Sequence, residues 1–141
     1  MYTNADDLCS KLTELKVRIQ DENPDIICIT ETKLTSSNKD EALGLEHYNI
    51  WRKERTHKGG GGIMIMTKKE LTATEVELLK TTYAEAIAIE IKTKKGSILV
   101  ATTYIAPKQI LGAQKNTNNS KKSLSTHSRT CCKGRKLNRR K

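Results

Sequence analysis

A carboxylate that ends a run of buried residue types is the sharpest chemical feature of this chain. Asp25-Ile26-Ile27-Cys28-Ile29-Thr30 is a continuous, largely apolar and β-branched run, and Glu31 follows it directly. A run without alternation marks a strand covered on both faces. Glu31 therefore falls at a sheet rim, where sites are commonly built. A hard cation such as Mg²⁺ takes one or two carboxylates together with water and phosphate oxygens, and Glu31 is a residue of that type. From position alone, an ordinary solvated strand-end residue is the commoner outcome. Asn4, just before the first helix, could bond a phosphate or orient a metal-bound group, or simply occupy a turn ahead of a capping Asp. Tyr104, at the end of the last clear strand, could hydrogen-bond a phosphate or serve as an edge aromatic.

Other features point away from familiar chemistries. Gly59-Gly60-Gly61-Gly62 is followed by a strand pattern rather than a helix, and no Lys-Ser/Thr pair follows it. A phosphate-cradling loop needs both. A turn into a strand, with the backbone passing close to a neighbour, is the better reading. His47, His57 and His127 have no Asp or Ser partner at a useful spacing. Cys9 and Cys28 fall on apolar positions of a helix and a strand, as small buried residues do. The adjacent pair Cys131-Cys132 lacks a second Cys or His pair at zinc spacing.

The elements that must position these residues can be read from periodicity. Asp6 or Asp7 caps a helix running to about Glu22, with Leu8, Leu12, Leu15 and Ile19 on one face. Asn23-Pro24 stops it. After the strand ending at Glu31 come a loop over 32–47 with one helical turn and a strand over Tyr48–Arg52. A Lys- and Gly-rich turn leads to a strand over Ile63–Thr67, with a weaker strand candidate over Thr72–Leu78. Ile87, Ile89 and Ile91 alternate with Ala88 and Glu90, and Ser97–Tyr104 returns as a partner strand after the turn at Thr93–Gly96. The order implies a mixed α/β fold whose sheet is largely antiparallel after the first buried strand.

Charge divides the chain in two. Residues 1–106 hold all 16 acidic residues and 15 of the 26 Lys and Arg, a net −1, whereas 107–141 carry the other 11 and no acid. The overall +10 belongs to the tail. From Gln109 onward the composition is Lys, Ser, Asn and Thr with few large apolar residues. Such a segment cannot offset its chain entropy by burial, so 108–141 is expected to be a disordered basic tail on a domain over 1–107. Its charge could bind nucleic acid nonspecifically. No apolar run is long enough to span a bilayer and no leader pattern opens the chain, so an intracellular protein, nuclear or cytoplasmic and not secreted, is expected.

Tyr2-Thr3-Asn4-Ala5, an amphipathic helix, and then Pro24-Asp25-Ile26-Ile27-Cys28-Ile29-Thr30-Glu31-Thr32 closely resemble the start of the endonuclease domain of non-LTR retrotransposons, which also carry a reverse transcriptase. These domains belong to the endonuclease/exonuclease/phosphatase superfamily. The resemblance continues through Tyr48–Lys53, the glycine run with the strand after it, and Tyr104-Ile105-Ala106-Pro107, covering roughly 2–107. It implies a deoxyribonuclease I-like four-layer α/β sandwich, Mg²⁺-dependent phosphodiester cleavage, and DNA as ancestral substrate. By matched position it makes Glu31 the metal ligand, Asn4 the residue near the metal and scissile phosphate, and Tyr104 a phosphate contact.

The same resemblance shows what is missing. The family places an Asp-x-Asn motif and an Asp-His pair downstream of the tyrosine, yet no Asp or Glu follows residue 107, and Thr126 precedes His127. The expectation is a truncated remnant of a DNA endonuclease, inactive alone, with one sheet's inner face uncovered and prone to self-association. The alternative is a nonenzymatic nucleic-acid binder acting through its tail.

Overall fold

The computed structural model describes residues 1–54, 61–78, 84–105 and 135–136. Two four-stranded sheets and one long helix make up these residues. The chain runs β1 (Tyr2–Asn4), α1 (Leu8–Glu22), β2 (Ile26–Thr30), a 3₁₀ turn (Asp40–Leu43), β3 (Tyr48–Lys53), β4 (Ile63–Lys68), β5 (Ala73–Val76), β6 (Glu85–Thr93), β7 (Gly96–Tyr104) and β8 (Arg135–Lys136). Sheet A has the order β1-β2-β4-β3, with β1 parallel to β2 and the other pairs antiparallel. Sheet B is β5-β6-β7-β8, antiparallel throughout.

α1 begins where Asp7 can cap it: its Oδ1 accepts from the amides of Cys9 at 3.1 Å and Ser10 at 3.4 Å. It ends at Asn23, which adopts the left-handed conformation (φ 43°) that asparagine tolerates. Leu8 and Leu15 are buried, with Leu12 and Ile19 packed beside them. Cys9 departs from expectation: it is exposed, because one residue past Leu8 the helix has turned away from that face. Cys28 is buried as expected.

The period of two in β2 and β4 assigns each side chain to a layer. Ile27 and Ile29 of β2 and Met64 and Met66 of β4 pack under α1, together with Leu34, Leu43 and Leu45 from the connection that follows Glu31. Cys28, Ile63 and Ile65 point the other way and meet Ile87, Ile89 and Ile91 of β6. Sheet A is thus covered on both faces, as its unbroken apolar runs require. This corrects the expectation of an uncovered inner face, since the two sheets' inner faces cover each other. The outer face of sheet B, reached by Leu99 and Ala101, is half-buried.

No described helix is long and apolar enough to cross a membrane. The disorder expected for 108–141 falls outside the described residues, except that Arg135 and Lys136 pair with Leu99 and Ile98 of β7. Removing side-chain volume between the sheets should be costly because every neighbour there is fixed. Ile65→Ala and Ile89→Ala should each lose about 2–5 kcal/mol of stability, whereas exposed Val17→Ala should stay within about 0.5 kcal/mol. Urea denaturation followed by circular dichroism measures the difference.

Candidate active site

Register places the chemically interesting residues at one end of the sandwich. In sheet A, Asn4 lies opposite Thr30, Thr30 opposite Ile63, and Ile63 opposite Lys53. In sheet B, Glu85 lies opposite Tyr104. Parity places Tyr2, Asn4 and Thr30 on the face of sheet A that looks toward sheet B, in line with Cys28. Glu85, Thr102 and Tyr104 are on the facing side of sheet B, in line with Ile87 and Ile89. The layer between the sheets is apolar through most of its length and becomes polar at this end.

β1, the three residues Tyr2–Asn4, is an edge strand of sheet A that aims Asn4 at Glu31. Asn4 Nδ2 donates to Glu31 Oε1 at 2.8 Å, and Asn4 Oδ1 accepts from the Asp6 amide at 3.0 Å. The second bond settles which end of the amide faces the carboxylate: only a carbonyl oxygen can take the Asp6 N–H. Tyr2 and Thr30 hydroxyls share a hydrogen bond of 3.0 Å beneath this pair.

The backbone around Glu31 is unusual. Asp6, Asp7, Glu31 and Lys33 all have positive φ, at 47°, 108°, 56° and 51°. Such conformations cost about 1–3 kcal/mol each and persist only where the surroundings enforce them. Here hydrogen bonds on both sides enforce them. The amides of Ala5, Asp7 and Leu8 donate to the carbonyls of Thr30 (2.9 Å), Glu31 (3.0 Å) and Thr32 (3.0 Å). On the other side the amides of Thr32 and Lys33 donate to the carbonyls of Gly62 (3.2 Å) and Gly61 (2.9 Å). Both glycines have φ of 83°, and a Cβ on Gly62 would sit 2.5 Å from Thr32 Oγ1. Gly61 and Gly62 make the close backbone approach that the sequence suggested for the glycine run; Gly59 and Gly60 lie outside the described residues.

Charge surrounds the pair. Lys33 Nζ donates to Asp6 Oδ1 at 2.8 Å. That hydrogen bond, with the attraction of the ammonium, holds the Asp6 carboxyl below the usual carboxylate range, and the same bond raises Lys33. The pair is therefore intact above the ordinary carboxyl pKa. It is lost as pH falls through the lowered value of Asp6 or rises through the raised value of Lys33. Both groups are solvated, so the effect on stability is small. Arg52 anchors the segment after Glu31 to β3, with Nε 3.1 Å from Asp40 Oδ1 and Nη2 donating to the Asn38 carbonyl at 2.6 Å.

Of the residues singled out in the sequence, Asn4 and Glu31 are in direct contact. Tyr104 is on the opposite sheet at the same end, half-buried against the inter-sheet core. His47 is exposed and apart from the site, while His57 and His127 lie outside the described residues. Glu85 was missed, although one signal was available. It occupies the inward phase of the alternation Glu85, Ile87, Ile89, Ile91. Its Oε2 accepts from the Gly62 amide at 2.7 Å.

A hard-cation site is compatible with this corner only in part. Glu31 offers one carboxylate at the rim, suited to a Mg²⁺ that keeps most of its water. No group of three or more His, Cys, Asp or Glu that could hold a metal occurs among the described residues. Asn4 Oδ1 is already committed to Asp6.

The chain belongs to the Endonuclease/Exonuclease/phosphatase family, whose model matches residues 3–137. Among solved structures it is similar to an AP endonuclease from Archaeoglobus fulgidus, with 20% identity and a TM-score of 0.49 over 70% of this chain and 38% of that one. It is also similar to the 3′ phosphatase NExo from Neisseria, solved with a product DNA hairpin (16% identity, TM-score 0.46, 70% of this chain and 38% of that one). A third is the AP endonuclease LMAP from Leishmania major (20% identity, TM-score 0.46, 75% and 34%). The chain thus spans little more than a third of the length of these proteins. No curated protein matches it.

Two outcomes follow from the geometry. Gly62→Ala should destabilise by roughly 1–3 kcal/mol, because it adds a positive-φ penalty to the clash with Thr32. Gly96→Ala, with φ of 133° and nothing within 4 Å, tests the penalty alone. Lys33→Met should return the Asp6 midpoint upward to the ordinary carboxylate range, read by carboxyl ¹³C NMR titration.

Proposed function

We propose that this chain carries the metal-binding corner of a Mg²⁺-dependent DNA phosphodiesterase site, descended from a retrotransposon endonuclease, and that it does not cleave DNA by itself. The contact between Asn4 and Glu31, 2.8 Å long at the polar end of the sandwich, carries the reading. Membership of the Endonuclease/Exonuclease/phosphatase family supports it, as do the sequence blocks around Glu31 and Tyr104. A bound divalent ion would stabilise charge on the phosphate and the leaving oxygen. Glu31 would hold it, with Asn4 fixing that carboxylate. Tyr104, from the other sheet, would donate to a phosphate oxygen.

Inactivity follows from the residues this chain does not supply. In-line attack needs a group to position or deprotonate water, and general acid–base catalysis contributes about 10²–10⁴-fold. No Asp or Glu follows residue 107, and His127 has Thr126 before it rather than an acid. Supercoiled plasmid incubated with Mg²⁺ should show no nicking above that of a Glu31→Ala control. Metal-dependent nicking that disappears in Glu31→Ala would overturn the proposal of inactivity.

The charge asymmetry favours a second reading, nonspecific nucleic-acid binding through 108–141. The 11 Lys and Arg of 107–141, unopposed by any acid, would release counterions from a phosphate backbone. Filter binding across a salt series should then give a slope that falls sharply when these residues are replaced by Gln. An unchanged affinity and slope would rule this reading out.

A further inference from the structure

We propose that Glu85 is a positioning residue that sets the backbone of Glu31 from across the sandwich, through Gly62. The inference rests on the reading of Glu31 as a metal ligand. The residues at 85, 87, 89 and 91 share the inner face of sheet B, and three of the four are isoleucines in the inter-sheet core. A carboxylate in that phase is out of pattern. Withdrawing it from water is unfavourable unless a donor compensates. The Gly62 amide, 2.7 Å from Oε2, is such a donor, and a hydrogen bond to a charged acceptor is stronger than a neutral one.

What Gly62 does next gives the bond its consequence. Its carbonyl receives the Thr32 amide, and the Gly61 carbonyl receives the Lys33 amide. These two bonds fall directly after Glu31 and hold one side of a backbone that carries positive φ at Glu31 and Lys33. The other side is held by residues 5–8. Glu85 is a sheet B side chain that accepts from the Gly62 backbone. It also lies opposite Tyr104 in the β6–β7 register. One carboxylate therefore ties the sheet bearing Tyr104 to the turn that fixes Glu31. Glu85 touches no reacting atom on this assignment; it acts through Gly62 and Thr32.

The test uses the full chain and needs no turnover. Glu85→Ala removes the acceptor, while Glu85→Gln keeps an acceptor oxygen without the charge. Amide hydrogen exchange by NMR should show Gly62 and Thr32 opening about ten-fold faster or more in Glu85→Ala. The core amides of β6 and β7 should stay as protected as in the parent chain, and Glu85→Gln should restore most of the protection. With Mn²⁺ as the probe, paramagnetic broadening of the Asn4 side-chain amide should be strong in the parent chain, weakened in Glu85→Ala and recovered in Glu85→Gln. Unchanged exchange at Gly62 and Thr32 in Glu85→Ala would overturn the assignment. So would equal loss of protection throughout β6 and β7, which would make Glu85 a residue of the fold alone. Absence of Mn²⁺ broadening in the parent chain would remove the metal reading, while exchange at Gly62 and Thr32 would still decide the role of Glu85.

Discussion

The three residues after β2 are held by backbone hydrogen bonds on both sides, and the rest of the site depends on that clamp. Strand geometry ends at Thr30, yet the backbone does not leave its neighbours. Its carbonyls at 30–32 are taken by the segment entering α1, and its amides at 32 and 33 by the carbonyls of Gly62 and Gly61 respectively. A chain bonded this way cannot relax into the ordinary β region at Glu31. The carboxylate therefore leaves the sheet at a fixed point, beside Asn4, instead of sweeping through solvent. Conformational cost is localised here and offset by hydrogen bonds that the neighbouring elements provide.

That clamp requires rigid neighbours on both flanks. β2 and β4 are rigid because they are central strands with apolar cover above and below, from α1 on one face and β6 on the other. The turn before β4 is rigid where Gly62 meets Glu85 and Thr32. The entry to α1 is rigid because Asn4 takes the Asp6 amide just before the helix and Asp7 satisfies amides that the helix start would leave open. Close packing at the centre of the sandwich is thereby transmitted to its polar end.

Much of this was legible in the sequence because it rests on local periodicity. The cap, face and stop of α1, the doubly buried run of β2, and the alternation of β6 with its return in β7 follow from residue spacing alone. The site was legible less evenly. Glu31 stood out because a carboxylate follows a five-residue strand with four buried positions, but its contact with Asn4 joins residues 27 apart and depends on β1 pairing parallel to β2. Three residues are too few to show a period, so β1 had no signature. Cys9 shows the opposite failure: residue type suggested burial and the helical phase overruled it. The mutual cover of the two inner faces needed the pairing of distant strands, which composition does not encode.

The orientation of one amide limits what this corner can do. Asn4 Oδ1 is occupied by the Asp6 amide, so the face it presents to Glu31 is its NH₂ group. One amide hydrogen goes to Glu31 Oε1, and the geometry leaves the other for a further acceptor. A donor next to a carboxylate suits an anionic ligand bridged by a cation. It does not suit Asn4 as a cation ligand, because turning Oδ1 toward a metal would break the bond that shapes the turn into α1. Glu31 is then the carboxylate through which this corner would hold a hard cation, and a hard cation held by one carboxylate retains most of its water. On the proposed reading, phosphate oxygens would replace part of that water.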